Sequence, residues 1–243
     1  MMLALSVVEL KLLLRKKLTA FSAIVVPLAL VAMTLFGKPP PNAAEWANVL
    51  SSQFMLLLAL SVFMVSLMVF TARRQSLVLK RLRTSALSDG QILLGVLGPV
   101  MVVGLAQSAA YFAACLLADA PAPANPLLVV FGVLLGVVVA TALGVATACL
   151  SRSVEATQIT SVPVVMAGVA GIFLSGMASP ALAAVGVAMP LMGPADLVAK
   201  GWSSAGAMVG DVPVVPLDIA SAVLWLAVAG VVFSRLFRWE PRR

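Results

Sequence analysis

The sequence predicts an all-α integral membrane protein. It comprises six transmembrane helices, an N-terminal interfacial helix, a short amphipathic helix on the cytoplasmic side, and a re-entrant segment on the outer side between the fifth and sixth helices. Three observations carry this reading. Of 243 residues, 62% are hydrophobic and only 10% charged, a composition far from that of soluble domains. The apolar residues fall in continuous runs, and crossing a hydrocarbon core about 30 Å thick takes roughly 20 helical residues. The Lys and Arg residues, finally, are distributed to one side. Because the runs are continuous and not alternating, helices are indicated and a barrel is not.

In chain order, residues 1–18 form an apolar stretch ending in Arg15, Lys16 and Lys17, read as a helix lying in the membrane interface with Glu9 and Lys11 toward water. No small-residue cleavage site follows the first apolar run, so no removable leader is expected. The six spans lie at about 19–36, 49–70, 92–118, 127–150, 157–178 and 217–235, and Pro39, Pro40 and Pro41 end the first hairpin. The whole of 1–243 reads as a single transmembrane domain. Residues 1–18, 71–91, 151–156 and 235–243 hold 14 of the 16 Lys and Arg. By the positive-inside rule both termini are cytoplasmic, as an even number of spans requires.

Between the last two spans, residues 179–216 are mostly apolar but are cut by Pro180, Pro190, Pro194, Pro213 and Pro216. The piece PALAAVGVAMP makes only about three helical turns, roughly half a bilayer. An apolar half-helix on the outer face is expected to re-enter and pack against protein, because exposed loop backbone is not tolerated in lipid.

Packing and chemistry are also legible. In the fourth span Gly132, Gly136, Ala140, Gly144 and Ala148 recur every fourth residue, and in the third Ala106, Ala110, Ala114 and Ala118 do the same. Such stripes let helices approach closely, and packing of these two spans against each other is preferred over a dimer interface. Cys115 and Cys149 read as buried apolar fillers, and with no histidine in the chain, His-ligated metal and Ser–His chemistry are excluded. No charge falls near the middle of any predicted span. A charge there costs about 2.5–3.5 kcal/mol on insertion scales, and its absence argues against proton coupling, voltage sensing or a charged-ring channel. Nor is there a G-x-x-x-x-G-K-[ST] phosphate loop. Uphill transport would therefore need energy from another polypeptide, docked on the cytoplasmic side.

The stretch TARRQSLVLKRLRTSALSDGQ, residues 71–91, supplies a docking candidate. Placed on a helix, residues 73–87 group Val78, Leu79, Leu82 and Ala86 within an arc of about 100°, with Arg73, Arg74, Lys80, Arg81 and Arg83 opposite. Attraction to anionic lipid explains most such basic hinges. Leu77 and Leu87, however, project from the basic side, which suits insertion into a groove on an acidic protein partner.

This stretch resembles the cytoplasmic segment after the second helix of ABC-2 type transporter permeases, typically Leu-x-Arg-Leu-Arg-x-x-Pro-Leu preceded closely by Gly. Val78, Leu79, Lys80, Arg81, Leu82, Arg83, Thr84 and Leu87 match, whereas Gln75 stands where an acid is usual, Leu77 where Gly is usual and Ala86 where Pro is usual. Residues 173–198, FLSGMASPALAAVGVAMPLMGPADLV, are similar to the family's Ser-Gly element and the re-entrant prolines that follow it. What the resemblance implies is the permease subunit of a bacterial ABC exporter in the plasma membrane, of the drug or antibiotic efflux kind. It would work as a homodimer or paralogous heterodimer, with separate ATP-binding subunits.

On that reading the chain binds no cofactor of its own, ATP and Mg belong to the partner, and no nucleic acid is involved. Residues 73–87 would be the coupling helix, with Arg73, Arg74, Leu77, Lys80, Arg81 and Arg83 in contact with the ATPase. Gln53, Phe54, Ser61 and Met64 with Gln158, Ser161 and Met166 are candidates for the substrate pathway, and interhelical packing is the competing role for each. Ser175, Gly176, Pro180, Pro190 and Pro194 are the candidate outer gate. A neutral apolar interior fits drugs and fits lipid or lipid-linked glycan nearly as well. A non-transport scaffold or a passive channel is the rival from another class.

Overall fold

The computed structural model describes residues 17–37, 40–78, 88–177, 179–203, 208–209, 212–213 and 215–237. The expected interfacial helix therefore lies, but for its last residues, outside the described part of the chain, as do Lys80, Arg81 and Arg83. In order the helices are α1 (Lys17–Phe36), α2 (Ala43–Gln75), α3 (Asp89–Leu117), α4 (Pro126–Leu150), α5 (Thr157–Ser175), α6 (Pro180–Ala188), α7 (Met192–Trp202) and α8 (Val215–Leu236). A two-residue antiparallel pair, Met208–Val209 with Val212–Pro213, precedes α8.

Among the described residues α2, α3, α4, α5 and α8 are long and apolar enough to cross a membrane, and α1, a 20-residue helix, falls where the first span was expected. Helices α6 and α7 meet at a bend of 117°, and the left-handed backbone of Leu191 (φ 67°) makes the turn. That conformation costs a leucine about 1–2 kcal/mol; Leu191 is held in it by burial, at 1% exposure.

Local chemistry sets the helix ends. Asn42 caps α2 by accepting from the Glu45 amide at 2.9 Å. Ser88 and Gln91 form a reciprocal capping box at α3. Asn125 caps α4, with Pro126 at the first helical position, where its missing N–H costs nothing. The C-terminal carbonyls of α6 have no helical partners. They are met by α8 instead: Ser221 Oγ donates to Val187 O and Trp225 Nε1 to Ala188 O, both at 2.9 Å.

Helix α2 is the axis of the bundle. Its 33 residues span about 50 Å at the α-helical rise, longer than the expected 49–70, with one wide π-helical turn at Leu58–Phe63. Leu50, Phe54, Met55, Leu57, Leu58, Phe63, Leu67 and Phe70 along it are wholly buried. The α4 stripe packs within the chain as expected, but against different partners. An added Cβ on Gly136 would meet Leu58 Cδ1 at 2.8 Å, one on Gly144 the Phe63 carbonyl oxygen at 2.8 Å, and one on Gly132 the Pro194 carbonyl oxygen at 3.0 Å. The stripe glycines thus seat α2 and α7, while α3 also packs against α4, with Gly104 facing Val137. Ala106 and Ala110 of α3 are exposed. Volume suits this: α2 carries the large Phe and Leu side chains that fill a groove of small residues.

Candidate functional site

Three polar sites lie along α2. The middle one joins α1, α2 and α3. Gln53 Oε1 accepts from Thr34 Oγ1 at 2.9 Å and from Tyr111 OH at 2.7 Å, and about two turns further along Ser61 Oγ donates to Gln107 Oε1 at 2.6 Å. Phe54 is buried against Phe112, with ring centroids 5.4 Å apart, and Phe112 in turn stacks on Trp202 at 5.6 Å. Gln53, Phe54 and Ser61 are therefore engaged between helices.

Of the α2 pathway candidates, Met64 alone lies on the partly open side of the helix, in a strip with Ser52, Leu56, Leu60 and Met68 at every fourth residue. On α5, Gln158 and Met166 are exposed, while Ser161 is buried and donates to Gln158 O at 2.9 Å. Sequence reasoning favoured polar residues in the span, but polarity marks the groups that bond between helices. Four-residue recurrence, not polarity, marks the open strip.

At the cationic end, α2 stops at Gln75, and Leu77 takes a left-handed φ of 58°. The expected helix over 73–87 is thus interrupted at its start: Arg73 and Arg74 belong to the last turn of α2, and residues 79–87 lie outside the described part. Leu77 occupies the position where the resembled pattern has glycine, and its positive φ supplies the physical reason for that glycine. Arg74 does not stand on an exposed basic face as placed by the helical wheel. It is 1% exposed, and its guanidinium donates to the carbonyl of Ser151 at the end of α4. Ser151 Oγ lies 2.6 Å from Thr160 Oγ1 of α5, so the root of the cationic segment is tied to both α4 and α5. Leu77 is exposed and Arg73 half-buried.

At the opposite end, Lys200 Nζ sits 2.6 Å from Asp196 Oδ2 and 2.6 Å from Asp218 Oδ2, with side-chain exposures of 4%, 21% and 0% respectively. In the sequence Asp196 and Lys200 fall between the fifth and sixth expected spans and Asp218 at the start of the sixth. The bend between α6 and α7 folds them into the bundle, and Gly193 allows it, since a Cβ there would meet the Asp218 carbonyl oxygen at 2.6 Å. The i,i+4 spacing of Asp196 and Lys200 was a readable signal; Asp218, eighteen residues on, was not. A cavity of about 290 Å³ opens beside this cluster, lined in part by Asn48, Ser51 and Ser52 of α2, Ser175 of α5 and Asp196 of α7. Of the candidate gate residues, Ser175 and Gly176 line the cavity. Pro190 and Pro194 are buried in the bend, and Pro180 is exposed at the start of α6.

A polytopic helical bundle built round one long axial helix, with a cationic segment at one end and a bent helix pair at the other, defines the class: a multi-pass membrane protein. The family model for ABC-2 family transporter protein matches residues 12–237, and the chain belongs to that family. Membership implies a membrane subunit, usually non-catalytic, that works with an ATP-binding partner. No curated protein and no solved structure matches the chain.

Proposed function

We propose that this chain is the permease subunit of an ATP-driven exporter that moves a hydrophobic or amphipathic molecule, of the drug or antibiotic kind, out of a bacterial cell across the plasma membrane. Two copies, identical or paralogous, pair with two separate ATP-binding subunits that hold ATP and Mg. Both termini are cytoplasmic, and α6 and α7 form a re-entrant element on the outer face.

The continuity of α2 carries this reading. One helix runs from the cavity wall at Ser51 and Ser52 to Arg73 and Arg74. A push on the cationic segment is therefore delivered along a rigid rod, and the Arg74–Ser151–Thr160 contacts share it with α4 and α5. The Arg74–Ser151 bond is buried, where it is costly to break, so the ends of the three helices move together. Cargo follows the strip of Ser52, Leu56, Leu60, Met64 and Met68 beside Met166 of α5. Ser175, Gly176 and the prolines of the α6–α7 bend close the outer end.

The test is copurification with an ATPase carrying a phosphate-loop motif, followed by substrate-stimulated hydrolysis. Leu77→Asp and Arg81→Glu are expected to abolish stimulation while the permease still inserts. Unchanged stimulation in both variants overturns the coupling role.

A further inference from the structure

The cavity beside α7 has an electrostatic asymmetry that the exporter reading alone does not use. Among the described residues its wall contains one ionisable group, Asp196. The ammonium that pairs with Asp196 lies behind it: Lys200 is 4% exposed, does not line the cavity, and is shared with the wholly buried Asp218. Anything entering therefore meets the carboxylate end of the cluster and not its cation.

The sharing of Lys200 matters as well. One ammonium stands 2.6 Å from each of two carboxylates; Asp218 is wholly buried, and Asp196, at 21% side-chain exposure, is the one open to the cavity. In a site of low polarity, a carboxylate facing the cavity attracts a positive charge more strongly than it would in water. A second observation points the same way. Ser51 is 6% exposed and lines the cavity, yet its hydroxyl has no hydrogen-bond partner among the described residues. A polar group so deeply placed and left open to a cavity is set to meet a polar group of whatever enters. The remaining wall is apolar, with Val49, Ile172 and Met192. The volume of about 290 Å³ sits at the lower end of small-ligand sites.

We infer that this cavity is a recognition subsite for a monocationic amphipathic molecule, with its ammonium or guanidinium group set against Asp196 and its apolar body against Val49, Ile172 and Met192. The Ser51 hydroxyl accepts from a donor on the cationic head. An anionic molecule finds no cation among the described residues of this wall, and a neutral one forgoes the interaction with Asp196. The inference rests on the exporter reading for its role as a cargo subsite, but the binding itself does not require transport.

The experiment compares radiolabelled benzylammonium with its uncharged isostere ethylbenzene, in equilibrium binding to the full chain in lipid nanodiscs. The two probes share a shape and differ in charge, so their ratio reports charge recognition. Saturable binding of the cation at least about tenfold tighter than the isostere, a 1.4 kcal/mol difference, is the expected result for the natural sequence. Asp196→Asn, which leaves Lys200 paired with Asp218, should erase that preference. Val49→Trp, which fills the cavity without touching the three charged groups, should remove binding of both probes. Equal affinity for the two probes, or a preference that survives Asp196→Asn, overturns the inference. If the preference holds but the cation never alters hydrolysis by the assembled complex, the subsite stands and the exporter reading falls.

Discussion

Replacing Lys200 by methionine isolates the energetics of the buried cluster. Methionine keeps much of the length and apolar volume of the lysine stem and removes only the ammonium. That ammonium lies 2.6 Å from Asp196 and 2.6 Å from Asp218, whose side chain is wholly buried. Its loss strands two carboxylates side by side, one of them out of reach of water. Removing one partner of a buried pair costs about 3–5 kcal/mol. For a chain of this size that lowers the unfolding midpoint by about 6–20 °C, at roughly 2–4 °C per kcal/mol.

The complementary variant, Asp218→Asn, leaves Lys200 bound to Asp196 and should cost only about 1–2 kcal/mol. The double variant Lys200→Met with Asp218→Leu removes the buried charges together and should recover most of the loss. Thermal unfolding followed by size-exclusion in a fixed detergent measures all three. A Lys200→Met midpoint no lower than that of Asp218→Asn would refute the reasoning, because it would mean that the ammonium does not hold the cluster together.

Further expectations come from other contacts. Gly144→Ala presses a methyl onto backbone atoms, the Phe63 carbonyl oxygen at 2.8 Å and the Leu67 nitrogen at 3.1 Å, and should lower stability by about 1–3 kcal/mol. Gly230→Ala, with nothing within 4 Å, should be neutral or slightly stabilising by the same unfolding assay. Gln53→Leu deprives Thr34 and Tyr111 of a shared acceptor and should cost about 1–3 kcal/mol. Tyr111→Phe should cost less, since Gln53 keeps its bond from Thr34. Leu77→Gly relieves the left-handed leucine and should raise the midpoint by a few degrees, about 1 kcal/mol after glycine's greater unfolded-state freedom is counted. A drop in the midpoint would show that the Leu77 side chain makes a stabilising contact that outweighs its backbone strain.

Much of this protein follows from its sequence alone. Spanning helices obey a one-dimensional rule, since a run of apolar residues must be about as long as the membrane is thick. The runs from Asp89 to Leu117 and from Pro126 to Leu150 could therefore be placed within a few residues. Prolines in a short apolar piece likewise announced the interruption at Pro190, where α6 and α7 part. The four-residue recurrence of Gly132, Gly136 and Gly144 announced a close approach, because small residues do so wherever they line up on one face.

The partner in that approach could not be read. Seating α2 and α7 on those glycines depends on side chains brought together from distant parts of the chain. The same holds at both ends of α2. Arg74 looks like one more cation in a basic run until the fold places the Ser151 carbonyl beside it, 77 residues away. Asp196 and Lys200 look like outer-loop charges, and Asp218 like the start of a span, until a 117° bend turns them inward onto one another. Periodicity and charge count are properties of neighbours along the chain. Which buried charge meets which partner, and which hydroxyl is left facing a cavity, are properties of neighbours in space, and only tertiary packing creates those.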